Sequence, residues 1–288
     1  MIRYYVIGHP VTHSLSPSLH NALWARMKVN WHMEALDLPD EAAVRAFFAR
    51  ARDSRDGRNI GGFNVTAPWK HLAAELCDCH SPALSASDPV NCVYRDSTED
   101  GTGKLVGYNT DGLGFRGLLT ETVPSELSPT PADYVLFGTG GGARAVAREL
   151  VRDCACELTV VSRELWRAES FVVAIEGEGD TICHPQSRAQ YEDCLDGHYR
   201  AVVNATSLGL RDEDELAISP RWAVAHTGYV LDLNYRPTGT TPLVKACRAH
   251  GVVAVDGRAM LREQAIFSDV IWGIEETAAR DGMPVLLE

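Results

Sequence analysis

The stretch from Tyr134 to Ser162 restricts the fold more than any other part of the chain. Tyr134–Phe137 is a short apolar run of strand length, and Gly138-Thr139-Gly140-Gly141-Gly142 is a glycine turn. Ala143–Arg152 then has helical spacing, and Leu158–Ser162 reads as a second strand. Strand, turn, helix and strand make a βαβ unit, which belongs in a largely parallel sheet covered on its faces. Gly138 to Ala143 fits G-x-G-x-x-A at the strand-to-helix junction. There glycines let backbone N–H groups and the helix N-terminus approach a pyrophosphate. A plain tight βα loop is also glycine-rich, so the turn alone leaves both readings open. The flanking strand and helix, and a second strand ending about 24 residues after Gly138, point to a dinucleotide site.

The first third repeats the alternation. Arg3–Ile7 reads as a strand, Pro17–Lys28 as a helix, His32–Leu38 as a strand and Glu41–Arg52 as a helix. Gly61–Val65 reads as a further strand, followed by a helix from about Pro68. Strands near Val90–Tyr94 and Leu105–Tyr108 flank the polar stretch Asp96–Gly103, which has hairpin-loop composition. Between Thr120 and Asp133 three prolines and no helical period separate the halves. Strands at Ala201–Val203 and Tyr229–Leu233 extend the second sheet, and a long helix over about Ala259–Arg280 ends the chain. The expected class is α/β: an N-terminal α/β domain over 1–118, then a doubly wound, Rossmann-type dinucleotide-binding domain over 119–255.

Charge and composition narrow the function. The 288 residues include 27 Lys+Arg against 39 Asp+Glu, a net charge of −12, without a basic run, which argues against nucleic acid as a partner. No apolar stretch approaches the ~20 residues of a membrane span. Ile2–Ile7 runs straight into Gly8-His9-Pro10 without the pattern of an export signal, so the expected location is the cytoplasm. The eight cysteines are then expected as free thiols. Cys77/Cys79 and Cys154/Cys156 are C-x-C pairs without zinc-ribbon spacing, and no metal is expected.

Several further motifs are distinctive: His13-Ser14-Leu15-Ser16-Pro17-Ser18-Leu19-His20-Asn21, Gly62-Phe63-Asn64-Val65-Thr66-Ala67-Pro68-Trp69-Lys70, Asn109-Thr110-Asp111-Gly112, Asn204-Ala205-Thr206-Ser207-Leu208-Gly209-Leu210 and Gln264-Ala265. In identity and order they resemble the shikimate dehydrogenase family, from about Ile7 to Phe267. That resemblance implies a substrate-binding first domain, with the C-terminal segment 256–288 packing back on it. Ser14 and Ser16 then correspond to serines that bind the shikimate carboxylate, although by themselves they read as an ST-turn and cap before Pro17. Thr66, Asn91 and Asn109 correspond to partners of the ring hydroxyls, and Gln264 and Tyr235 to residues near the substrate. Lys70 and Asp111 correspond to the proton-handling pair: a ketone reduced by hydride gains alkoxide character, which an ammonium stabilises and protonates.

For the cofactor, the resemblance assigns Gly138, Gly140, Gly141, Gly142 and Ala143 to the pyrophosphate. It assigns Ser162, Arg163 and Arg167 to the adenosine end, and Thr206 and Gly257 to the rest of the site. The family's Asn-Arg-Thr appears here as Ser162-Arg163-Glu164. An arginine there favours the 2′-phosphate of NADP and a carboxylate the ribose of NAD, so NADP is expected with NAD as the alternative. The family's Gly-Ala-Val-Asn-Thr appears as Asp88-Pro89-Val90-Asn91-Cys92, which admits a shifted substrate preference. The implied activity is NADPH-dependent reduction of 3-dehydroshikimate to shikimate by a monomer or homodimer. The alternatives are a quinate or aminoshikimate dehydrogenase using NAD, and a non-catalytic ligand sensor on the same fold.

Overall fold

A computed structural model describes residues 1–84, 88–97, 102–124, 133–153, 157–176 and 181–286. The tip of the expected hairpin loop (98–101), the proline-rich stretch 125–132, and Cys154 and Cys156 lie outside the described residues. The chain forms two compact units, Met1–Asp111 with Leu261–Val285, and Gly112–Met260.

The first unit contains β1 (Ile2–Gly8), α1 (Ser16–Met27), β2 (Trp31–Asp37), α2 (Glu41–Arg52), β3 (Ile60–Val65), α3 (Lys70–Leu76), β4 (Cys79–His80), β5 (Cys92–Ser97) and β6 (Gly103–Tyr108). The sheet order is β2-β1-β3-β5-β6-β4. β1 runs parallel to β2 and β3, while β5 is antiparallel to both β3 and β6, so the β5–β6 hairpin makes the sheet mixed. The formation of α2 follows from its sequence. Asp40 caps it by accepting from Ala43 N at 2.8 Å, Glu41 sits in the first turn, and Arg50 and Arg52 sit in the last. Val44, Phe47, Phe48 and Ala51, at helical spacing, bury one face against Tyr5 and Phe63. Pro68 does not open a helix as expected. It lies in the turn closed by Trp69 N on Thr66 O, and α3 starts at Lys70.

The second unit continues with α4 (Asp111–Thr122), β7 (Tyr134–Phe137), α5 (Gly141–Asp153), β8 (Glu157–Ser162), α6 (Leu165–Ile175), β9 (Ile182–Ser187), α7 (Tyr191–Cys194), β10 (Ala201–Asn204), α8 (Pro220–His226), β11 (Tyr229–Asp232), α9 (Pro242–Ala249) and β12 (Val253–Val255). Every pairing in its sheet, β12-β11-β10-β7-β8-β9, is parallel. Counted from β7, that is the 3-2-1-4-5-6 order of doubly wound dinucleotide folds, with the reversal between β7 and β10. The units divide at Asp111/Gly112, earlier than residue 118, because Phe115 and Leu118 pack with Leu136 and Val146 in the second unit's core.

The single long C-terminal helix is instead two, α10 (Arg258–Ile271) and α11 (Glu276–Gly282). Gly273 at φ +104° lies in the break, and Glu275 caps α11 by accepting from Ala278 N. From Leu261 onward this segment belongs to the first unit. Trp272 Nε1 donates to Val93 O at 3.1 Å, and Arg26 Nη1 donates to Gly282 O at 2.9 Å.

Candidate active site

β5 and β6 pair with Cys92 opposite Tyr108, so the flanking residues Asn91 and Asn109 leave the sheet together at one end. Backbone bonds tie the neighbouring elements to that end. Val65 N donates to Asn91 O, Asn91 N to Tyr108 O, and Val90 N to Lys70 O, at 2.8, 3.0 and 2.9 Å. Lys70, the first residue of α3, thereby faces Asp111, the first residue of α4, and its Nζ donates to Asp111 Oδ2 at 2.5 Å. Asn91 Nδ2 donates to Asp111 Oδ1 at 2.8 Å and to Thr110 Oγ1 at 3.1 Å, while Asn91 Oδ1 accepts from Thr110 N at 2.7 Å. Asn109 Oδ1 accepts from Asp111 N at 2.8 Å, and its Nδ2 donates to Pro89 O. Both oxygens of the carboxylate are therefore engaged. Its side chain is 4% exposed against 19% for Lys70, so a buried, fixed anion holds a more accessible ammonium.

The loop after β1 opens on the same end, because β1 and β3 run parallel and Thr66 N donates to Ile7 O. A Cβ on Gly8 would lie 2.3 Å from Thr66 Cγ2, so the close approach of these two chain segments requires glycine. In that loop Ser14 Oγ accepts from Ser16 N at 3.3 Å, a local turn that leaves both hydroxyl hydrogens free to donate elsewhere. Gln264 lies on α10, and among the described residues its Oε1 is buried without a hydrogen-bond partner. The Gln264 carbonyl accepts from Ser268 Oγ, which accepts from Asn64 Nδ2 at 3.0 Å. Asn64, Thr110 and Ser268 join the site without being expected there from the sequence. Asn64 and Thr110 sit inside the motifs, whereas Ser268 carries no local signal.

In the second unit Gly138 has φ +115°, and a Cβ there would stand 2.9 Å from Ala205 O. Glycine is needed because Gly138 N bonds Val161 O while Ala205 N bonds Phe137 O across neighbouring strands. A Cβ on Gly140 or Gly142 would meet nothing within 4 Å, so the turn presents open space above the start of α5. The turn is shorter than expected, since Gly141 and Gly142 are already the first residues of α5, where helix N–H groups lack partners within the helix. Ser162 is buried at the end of β8, and Arg163 is exposed beyond it. Glu164 occupies the cap position of α6, and the Arg167 guanidinium lies 4.8 Å from the Trp166 ring.

A second polar network fixes the ends of β10 and β11. Asp232 accepts from Asn204 Nδ2 at 2.9 Å and from Thr241 Oγ1 at 2.7 Å. Burial pushes its carboxyl up to about 6, against the opposing effect of these bonds. Thr206 donates through N and Oγ1 to Asn204 Oδ1, and Asn234 Nδ2 donates to Thr206 O. Gly257 N donates to Asn234 O, and a Cβ on Gly257 would lie 2.3 Å from Leu233 O. Tyr235, expected near the substrate, lies in the loop after β11 in this second unit, with Thr206 and Gly257. Arg258 pairs with Asp256 and donates to Arg236 O and Gly239 O, which holds that loop against the start of α10. Among the described residues no helix is long and apolar enough to cross a membrane, and no group of three His, Cys, Asp or Glu could hold a metal.

A parallel sheet in dinucleotide order, an open glycine turn above a helix start, and a lysine fixed by a buried carboxylate are the make-up of a dinucleotide-dependent oxidoreductase. Residues 6–93 match the family model of the shikimate dehydrogenase substrate binding domain. A shikimate dehydrogenase (NADP(+)) of Rubrobacter xylanophilus is 36% identical over 271 residues, 93% of this chain and 89% of that protein. Shikimate 5-dehydrogenase of Thermus thermophilus, solved with NADP(H) and shikimate, superposes with a TM-score of 0.74 at 29% identity, over 98% of this chain and 100% of that one. Quinate dehydrogenase of Corynebacterium glutamicum, solved with NAD, gives 0.78 at 26% identity over 98% of both chains. The chain belongs to the shikimate dehydrogenase family.

Proposed function

We propose that this chain is an NADP-dependent shikimate dehydrogenase, converting 3-dehydroshikimate, NADPH and a proton to shikimate and NADP⁺ in the cytoplasm, as a monomer or homodimer. The observation that carries this reading is the Lys70–Asp111 pair, with Asp111 buried and held on its second oxygen by Asn91. The cofactor fits the residues present. Gly140 and Gly142 leave the space a pyrophosphate needs, and the first N–H groups of α5 lie beside it. Gly138–Ala143 would hold the pyrophosphate, Ser162, Arg163 and Arg167 the adenosine end, and Thr206 and Gly257 the remainder. When bound, the reduced nicotinamide supplies the hydride.

The protein's own residues supply the rest. Lys70 gives its proton to the carbonyl oxygen and stabilises the charge that develops there. Asp111 aims the ammonium and accepts from a neighbouring hydroxyl. Asn91 has both amide hydrogens committed to Thr110 and Asp111, so its part is to fix the carboxylate. Ser14 and Ser16 donate to the substrate carboxylate. Thr66 and Asn109 meet ring hydroxyls, as does Gln264, whose buried Oε1 is an acceptor that a hydroxyl would satisfy.

The test is reduction of NADP⁺ or NAD⁺ by the purified protein, followed at the reduced-nicotinamide absorbance with shikimate and with quinate. Turnover with shikimate and NADP⁺ at the highest kcat/KM is expected. Faster turnover of quinate with NAD⁺ would overturn this reading and would locate the changed preference in the altered residues Asp88, Pro89 and Cys92 around Asn91. Tight binding of shikimate without any turnover would indicate a sensor.

A further inference from the structure

β8 and β9 run parallel and in register to their last residues, Ser162 opposite Ser187. The next residue of each strand is an arginine, and Arg188 N donates to Ser162 O at 2.7 Å, so Arg163 and Arg188 leave the sheet side by side. Both line a hollow of about 390 Å³ outside these strand ends, walled further by Tyr191, Ala217 and Ile218. Arg167, one turn along α6, is not among the lining residues, and its guanidinium rests over Trp166.

The carboxyl end of the second strand of a doubly wound sheet is where the adenosine ribose of a dinucleotide is recognised. A carboxylate there suits the ribose diol, and guanidinium groups suit a 2′-phosphate dianion, which takes charge-assisted and bidentate bonds. Arg188 is aimed for the second task. Its Nη2 donates to Leu216 O at 3.0 Å, an anchor from a backbone atom, and to Glu215 Oε2 at 3.1 Å. The Glu215 side chain is 82% exposed against 24% for Arg188, so this ion pair is a weak one that a phosphate can displace. Glu192 also lines the hollow, which makes capture of a ribose diol by Glu192 or Glu215 the competing arrangement.

We propose that Arg188 is a cofactor-selecting residue of this chain: with Arg163 it forms a two-guanidinium seat for the 2′-phosphate, and it exchanges Glu215 for that phosphate on binding. The inference rests on the reading that the second unit takes NADP. Its test compares two probes that differ only in the 2′-phosphate, 2′,5′-ADP and 5′-AMP, by titration calorimetry on the full chain.

Arg188→Gln is expected to weaken 2′,5′-ADP by at least about tenfold, leave 5′-AMP within about twofold, and flatten the salt dependence of 2′,5′-ADP binding. Glu215→Gln is expected to tighten 2′,5′-ADP alone. Equal weakening of both probes by Arg188→Gln, or no weakening of either, would overturn the proposal. So would wild-type protein that binds 5′-AMP as tightly as 2′,5′-ADP. Should Arg188→Gln not fold, Arg188→Lys, which keeps the charge but loses the fork, carries the same comparison: selective weakening of 2′,5′-ADP supports the seat, and unchanged selectivity overturns it. Because no turnover is read, shikimate oxidation by the wild type survives failure of this proposal, and selective binding through Arg188 survives failure of the catalytic reading.

Discussion

At the scale of single residues, the buried Asp111 holds the half-buried Lys70 in place as a candidate acid. Lys70→Ala is expected to lower kcat by at least about 10² with a modest change in KM, the usual worth of a general acid. Asp111→Asn should also depress kcat, and the double variant should lose far less than the product of the two effects, since the pair acts as a unit. Steady-state kinetics check both, and independent multiplicative losses would separate the two residues. Ser14→Ala and Ser16→Ala should each raise KM for shikimate by the equivalent of about 1–3 kcal/mol. A neutral analogue should show no such rise, and an equal rise for both compounds would remove the serines from the carboxylate. The partners Lys70 and Asp111 were legible in the sequence through their motifs. The bonds that orient them were not, because Asn91 reaches Thr110 and Asp111 only after β5 and β6 pair, and Ser268 reaches Asn64 only after α10 returns to the first unit.

At the scale of elements, the glycine turn separates folding from binding. Gly138 sits at positive φ under the Ala205 carbonyl, whereas Gly140 faces open space. Gly138→Ala is therefore expected to cost about 2 kcal/mol or more, a fall in Tm of roughly 5 °C, through backbone strain and the clash. Gly140→Ala should leave Tm within about 2 °C and raise KM for NADP⁺, since its methyl enters the space assigned to the pyrophosphate. Thermal melts with cofactor kinetics decide this; a destabilised Gly140→Ala would show that the space is not open.

The same turn made the second unit readable, as Tyr134–Phe137 and Leu158–Ser162 are buried on both faces, Thr159 and Ser162 included. β9 has no clear signature in the sequence because it is an edge strand carrying Pro185 with half-exposed or exposed residues, and β12 because it has only three residues. The break before α11 is weakly signalled in the sequence, because one Gly273 interrupts an otherwise continuous helical pattern.

At the scale of the whole molecule, two buried carboxylates govern stability in different ways. Asp232 is raised from 3.8 to about 6, so between those values the folded state binds more protons than the unfolded one. Stability contributed at this site therefore falls as pH rises from about 4 to 6, by up to about 3 kcal/mol. Asp232→Asn keeps an acceptor for Asn204 and Asn234 and lets the Thr241 hydroxyl accept, so this part of the pH slope should vanish from the urea midpoints. An unchanged slope would place the titration elsewhere.

Asp269 is held differently: its Oδ2 lies 2.8 Å from His20 Nδ1, its Oδ1 accepts from Trp24 Nε1 at 2.7 Å, and the pair is almost wholly buried. Asp269→Ala strips both groups of their acceptor where α10 meets α1, at a cost of about 3–5 kcal/mol. That loss falls on the first unit, because each unit has a core of its own residues. Trp24, Trp31, Trp69 and Trp272 report on the first unit, and Trp166 and Trp222 on the second. In urea, the fluorescence transition of the variant should move to lower concentration and acquire a second phase, while 2′,5′-ADP binding persists through the first. Simultaneous loss of fluorescence and nucleotide binding would mean that the units unfold as one, and that the α1–α10 clamp supports the dinucleotide unit as well as the site built around Lys70.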